Sequence, residues 1–108
     1  MILIEEVKIK GKEIGAVAAV GRGRVGYSIC NPLDDYDLDW ATGIAISRAR
    51  VNRKVVAGLE KKRDSLLEEY DNGGKYDRMN EVELILGRTE SVLHHLRAMI
   101  KRSKRMRW

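Results

Sequence analysis

VGYSICNPLDDYDLDWATGIAISRAR, residues 25–50, is where this chain changes character. Val25 to Cys30 is an apolar run of strand type. Asn31-Pro32 ends it, because Pro has no N–H to give a ladder and pushes the residue before it toward extended geometry. Asp34, Asp35, Asp37 and Asp39 come next, and a helix rich in small residues starts near Leu38 and runs to Arg50. Carboxylates in this position cap the unpaired N–H groups of a helix start and suit the positive end of its dipole; Arg48 and Arg50 suit the negative end. The chain before this stretch reads as strand, and the chain after it reads as helix.

Upstream, Ile2 to Lys10 alternates loosely, with Ile4, Val7 and Ile9 set among Glu5, Glu6 and Lys8. Lys10-Gly11-Lys12 is a tight turn into a second strand, Glu13 to Val20, and Gly21-Arg22-Gly23 is a turn into the third, Arg24 to Cys30. Short turns between strands give an antiparallel meander. Ala16-Val17-Ala18-Ala19-Val20 is apolar at every position, so this strand is expected at the centre, covered on both faces. Downstream, Val55 to Tyr70 places Val55, Val56, Leu59, Leu66, Leu67 and Tyr70 on one helical stripe. Asp71-Asn72-Gly73-Gly74 breaks it. From about Asp77 to Lys104 a longer helix carries Val82, Ile85, Leu86, Thr89, Val92, Leu93, Leu96, Met99 and Ile100 at helical period. A short Gly-rich loop lays two such helices antiparallel. Val51 to Lys54 is a candidate for a fourth, edge strand. The expected architecture is one α+β domain over residues 1–108, with a sheet half at 1–36, a helical half at 37–104 and a basic tail at 101–108. In it a three- to four-stranded antiparallel meander packs on a short helix and a C-terminal antiparallel helical hairpin.

The 108 residues fit a single domain, and the absence of Phe leaves the core to Ile, Leu, Val and Met with a few Tyr and Trp. One Cys cannot close an internal disulfide, which points to a reducing, cytosolic compartment. Met-Ile-Leu-Ile-Glu-Glu lacks the basic start of a signal peptide, and no apolar run reaches spanning length, so no membrane association is expected. The net charge of +5 is unevenly placed. Residues 1–40 carry five Lys/Arg against seven Asp/Glu, residues 41–100 carry eleven against nine, and KRSKRMRW at 101–108 carries five against none. The tail therefore holds the whole excess, so the charge forms a local basic tail, a candidate contact for nucleic acid, and no broad basic surface.

No catalytic set is legible. His94 and His95 are adjacent, diverge by about 100° on a helix, and have no third ligand at metal spacing. They read as surface or interface residues. Cys30 closes a buried-looking strand and reads as a packed thiol. Ser28, Ser47 and Ser91 lie in no nucleophile elbow. Gly21-Arg22-Gly23-Arg24-Val25-Gly26 mimics a phosphate loop, but it joins two strands and lacks the helix that such a loop must open. As a hairpin turn it still presents Arg22 and Arg24 to phosphate. The acidic cluster before the first helix has the spacing of no defined metal loop. Catalytic residues, metals and cofactors are therefore not expected. Arginine is the residue type to trace, because its planar fork grips phosphate with two bonds and stacks on bases.

The long helix has a second face. Asn80, Leu84, Gly87, Ser91 and Ala98 lie opposite the main stripe with His95 beside them, while Lys, Arg and Glu sit on the flanks. Small uncharged residues let another helix approach, so Asn80, Leu84, Gly87 and Ser91 are read as a self-association face of a dimer or higher oligomer. The other reading is a helix covered by its own sheet.

Gly26-Tyr-Ser-Ile-Cys-Asn-Pro-Leu-Asp34, then Tyr36, then Gly43-Ile-Ala-Ile-Ser-Arg-Ala49 resembles a pattern in small bacteriophage proteins. That pattern is a strand ending in Cys-x-Pro-x-Asp, a helix with Gly-x-x-Ile-Ala-x-x-Arg-Ala, matched here by Ile44-Ala45 and Arg48-Ala49 with Gly43 two positions closer than in the pattern, and a helical half. The family it resembles is the phage Thoeris anti-defence sponges. The resemblance covers about a quarter of the chain, and the helical half matches it in character only. It implies a non-enzymatic protein that binds cyclic ADP-ribose-type signals or cyclic oligonucleotides and so starves a host defence effector. It also implies an oligomer, and a phosphate-rich ligand held by arginines, an asparagine and an aromatic ring. Arg48 falls on the motif's arginine. Arg97, Asn80 and Tyr70 are of suitable type in the helical half, with Arg22 and Arg24 as further phosphate contacts. Two other classes remain open. One is a basic nucleic-acid-binding protein that uses residues 101–108 as a clamp, and the other is an inhibitor of a host protein by direct contact.

Overall fold

The structure is a computed structural model and describes residues 2–21, 23–30, 37–51, 54–72 and 76–105. Strands β1 (Leu3–Ile9), β2 (Lys12–Ala19) and β3 (Val25–Ile29) form one antiparallel sheet in the order β1-β2-β3. Helices α1 (Leu38–Val51), α2 (Val55–Asp71) and α3 (Tyr76–Arg105) complete the chain. The class is α+β, as the turn signals and helical stripes require. Val51 is the last residue of α1, so the candidate fourth strand at 51–54 is not formed at its first position; Lys54 is also outside any strand, and 52–53 lie outside the described residues.

The two hairpin turns use left-handed backbone where the sequence allows it. Lys10 (φ 52°) and Gly11 (φ 79°) sit between the paired Ile9 and Lys12. Two positive φ values in a row give the primed turn whose twist matches a hairpin. Gly21 (φ 93°) and Gly23 (φ 77°) shape the second turn. It is closed by Arg24 N donating to Gly21 O at 3.0 Å and Val20 N donating to Arg24 O at 3.0 Å.

The central strand is buried on both faces, as its unbroken apolar run predicts. Ala16 and Ala18 face α1, where they meet Ala45 and Ala49 in an alanine-lined layer. Val17 and Ala19 face the other way, into the main core with Val7, Val25, Val55, Leu59, Val92, Leu93, Leu96 and Met99. Between Val7–Gly15 and Lys8–Glu13 the register shifts by a residue, leaving Ile14 as a bulge. A bulge changes which face the neighbouring positions address. Ile14, an odd number of positions from Val17, thereby joins the same core.

The helix α1 starts where its acids predict. Asp37 Oδ1 accepts from the N–H groups of Asp39 at 3.0 Å and Trp40 at 3.2 Å, an N-cap. Asp34 and Asp35 lie outside the described residues. Gly26 of β3 makes the close docking of α1 possible, because a Cβ there would run into Ala45 O and Ala49 N.

The helices α2 and α3 pair antiparallel. Early in α2, Glu60 meets Arg97, late in α3, at 3.8 Å; late in α2, Glu69 meets Arg78, early in α3, at 3.0 Å. Glu69 and Glu81 both bond Arg78 and raise its pKa, the Glu69 hydrogen bond most. Of the α3 stripe, Val82, Thr89, Val92, Leu93, Leu96 and Met99 are buried, while Ile85, Leu86 and Ile100 are half-buried. In α2 the stripe is narrower than its sequence implies. Val55, Leu59 and Leu66 are buried, but Leu67 and Tyr70 are exposed. The basic tail is largely the end of α3, which continues to Arg105; Ser103 is buried there and accepts from Gly23 N at 3.0 Å. Residues 106–108 lie outside the described part. Among the described residues no helix is long and apolar enough to cross a membrane.

Candidate functional site

A cleft that combines charge, an aromatic face and a helix start lies between the edge strand β3 and the first turn of α2. It holds about 360 Å³ and is lined by Tyr27, Arg48, Lys54, Val55, Gly58 and Leu59. Three elements build it. The edge strand β3 supplies Tyr27, which packs partly against the main core. Arg48, near the end of α1, reaches to β3. Its Nη1 donates to Tyr27 O at 3.1 Å, and its guanidinium carbon stands 5.8 Å from the centre of the Tyr27 ring. That pair fixes the arginine by a hydrogen bond and a cation–π contact while leaving the side chain exposed. Leu59, fully buried, forms the apolar floor.

The helix α2 supplies the third part of the site's charge. It begins after Lys54, whose side chain makes no capping bond, and no acidic residue stands in its first turn. The N–H groups of such a start have no intrahelical acceptors, and the dipole adds positive potential. Among the described residues, Arg48, Lys54 and this helix start bring positive charge to one small space, next to an aromatic ring. Such a space suits an anionic group beside an aromatic ring.

The expected site residues do not all gather here. Arg48 does. Arg97 is exposed and held by Glu60, the residue after Leu59, so it stands at the same end of the helical hairpin. Tyr70 and Asn80 are exposed at the other end. Asn80 precedes Arg97 by seventeen helical residues, about 25 Å of rise. Within one protomer Tyr70 and Asn80 therefore do not share a cleft with Arg48. Arg24 is half-buried by the β2–β3 turn, with its Nε buried and unpartnered, and is not part of the cleft. Arg22 lies outside the described residues.

Sequence reasoning missed Lys54 and Gly58 as a lining. One signal for them was present. Arg53-Lys54 before Val55-Val56-Ala57-Gly58 puts cations at a helix start and no carboxylate after them, the reverse of the usual pattern.

The remaining candidates are accounted for by the fold. His95 Nδ1 lies 3.3 Å from Glu5 Oε2, joining α3 to β1, and the His94 and His95 rings meet edge-on at 5.9 Å. Cys30 is half-buried, and its N–H donates to Ile14 O at 2.8 Å. Among the described residues no group of three His, Cys, Asp or Glu is placed to hold a metal ion. The Asn80–Leu84–Gly87 face of α3 is not covered by the chain's own sheet. Leu84 is 48% exposed, and a Cβ on Gly87 would meet nothing within 4 Å.

No protein-family model, curated protein or solved structure matches the chain.

Proposed function

We propose that this protein binds and sequesters a small phosphate-bearing cyclic nucleotide, of the cyclic ADP-ribose or cyclic oligonucleotide type, without degrading it. It would serve a bacteriophage against a host defence signal in the host cytoplasm. The observation that supports the reading is the convergence of Arg48, Lys54 and the start of α2, which the Lys54 side chain does not cap, on a cleft with Tyr27 at its side. The cleft's volume falls at the low end of the range for small-molecule sites. The resemblance of residues 26–49 to the Thoeris anti-defence sponges supports the same reading, and Arg48 is the residue common to both arguments. Arg97 stands at the near end of the hairpin as a second phosphate contact.

The test is a thermal-shift screen against cyclic ADP-ribose isomers and cyclic dinucleotides. A true ligand at 100–1,000 times its dissociation constant stabilises the fold by about 3–4 kcal/mol. Arg48→Ala lowers affinity by about 1.5–3 kcal/mol, the range for a charged hydrogen bond. Gly58→Glu is the sharper variant. A Cβ there meets nothing within 4 Å, so the fold is kept while a carboxylate enters the cleft. Binding that survives both substitutions places the ligand elsewhere. Heat-released ligand must have its original mass; an altered mass means an enzyme. The exposed cations Lys101, Lys104 and Arg105 on the last turns of α3 favour a nucleic-acid clamp as the second reading. Loss of function on neutralising these three, with Arg48→Ala silent, selects that reading.

A further inference from the structure

A second cleft, with none of the same lining residues, lies where the β1–β2 hairpin meets α3. It holds about 420 Å³ and is lined by Ile9, Lys10, Lys12, Ile14, Leu84 and Arg88. Arg88 is 6% exposed. Its Nη1 donates to Cys30 O at 3.0 Å, which ties α3 to the end of β3. That bond explains why an arginine is here, but it leaves Nε buried with no partner. A guanidinium is a donor with five N–H groups and no acceptor of its own. Such a donor is costly unless an acceptor meets it.

The surroundings favour an anion with an apolar body. Lys10 and Lys12 are exposed at the rim, and among the described residues no acid lines the cleft. Glu13, the acid next to Lys12 in the chain, is instead 4.0 Å from Lys8. The walls are Ile9, the buried Ile14 and the half-exposed Leu84. The Nε edge of an arginine is one of the two edges that a carboxylate or phosphate grips with parallel bonds.

We propose that this cleft binds a single-headed anionic amphiphile, a carboxylate or phosphate monoester on an aliphatic body. The head sits on the Arg88 Nε edge between Lys10 and Lys12, and the body lies on Ile9, Ile14 and Leu84. The site is separate from the Arg48 cleft and needs no nucleotide.

Calorimetric titration of the whole chain with octyl phosphate and with octanoate, beside inorganic phosphate, acetate and octanol, tests it. Octyl phosphate, octanoate or both bind at least tenfold more tightly than the head or the body alone, and the stronger of the two identifies the head group. Arg88→Met weakens binding tenfold or more. Lys10→Asn with Lys12→Gln changes only exposed side chains, keeps a residue tolerant of positive φ at position 10, and weakens binding at least fivefold. The lysine pair decides the matter if Arg88→Met does not fold. Arg48→Ala leaves this binding unchanged. Octanol binding as well as octyl phosphate, no binding by either amphiphile, or full affinity in the lysine double variant overturns the proposal.

Discussion

Individual side chains show where the helical stripe and the core are not in full agreement. Thr89 lies inside the α3 stripe, is fully buried, and its Oγ1 has no partner. A buried hydroxyl without a hydrogen bond costs free energy, while a methyl of the same shape does not. Thr89→Val is expected to stabilise the protein by about 1 kcal/mol, read as a higher urea midpoint with unchanged slope. A lower midpoint would mean that the hydroxyl is bonded after all. Arg88 is the other such position, but the two differ in kind. Thr89 is fully closed off from solvent, whereas Arg88 lines a cleft that a ligand can enter. The sequence placed Thr89 on the correct stripe, because the helical period is a local property. Arg88's burial had no such local sign, since it depends on where the β1–β2 hairpin sits against α3.

Among the elements, the docking of α1 on the sheet is the most demanding. Ala41, Ala45 and Ala49 recur every four residues and are all buried. They bring the helix close to Ala16, Ala18 and Gly26. Gly26→Ala is expected to destabilise by about 3 kcal/mol, because the new methyl meets backbone atoms of α1 that cannot rotate away. Gly43→Ala on the outer face of the same helix meets nothing within 4 Å and is expected to stabilise by about 1 kcal/mol. Chemical denaturation of the two variants side by side checks this, and equal stabilities would refute the close approach. The same docking positions Arg48. Because α1 lies against β3, the arginine near its end reaches the Tyr27 carbonyl and ring. The small-residue character of α1 was legible in the sequence, but the strand it covers was not.

The 30-residue α3 sets the long dimension of the molecule, 49 Å against 26 and 23 Å. One side of α3 is buried by the sheet and α2. The Asn80–Leu84–Gly87 face stays open in the single chain, with Ser91 half-buried at its border. We propose that this uncharged open face meets a second copy of the chain. Gly87→Glu is expected to leave helix content unchanged in circular dichroism and to lower the mass found by light scattering. Gly87 is the position of choice, since Leu84 also lines the Arg88 cleft. A native protein that runs as a monomer at micromolar concentration would refute the oligomer.

The elements and their order are written locally in the chain. Two glycine turns, a proline after β3, an acidic helix start and a sustained helical stripe each act over a few residues, so each can be read without knowing the rest. The central place of β2 is legible in the same way, since an unbroken apolar strand needs cover on both faces. The clefts are not written there. Tyr27, Arg48 and Lys54 are separated by up to 27 positions and meet only because α1 crosses β3 and hands the chain to α2. Tyr70 and Asn80 have chemistry as suitable as that of the residues that meet, but helical rise carries them to the far end of the hairpin. Residue type is local, whereas proximity depends on how whole elements dock, and that docking is set by buried surface distributed over the entire chain.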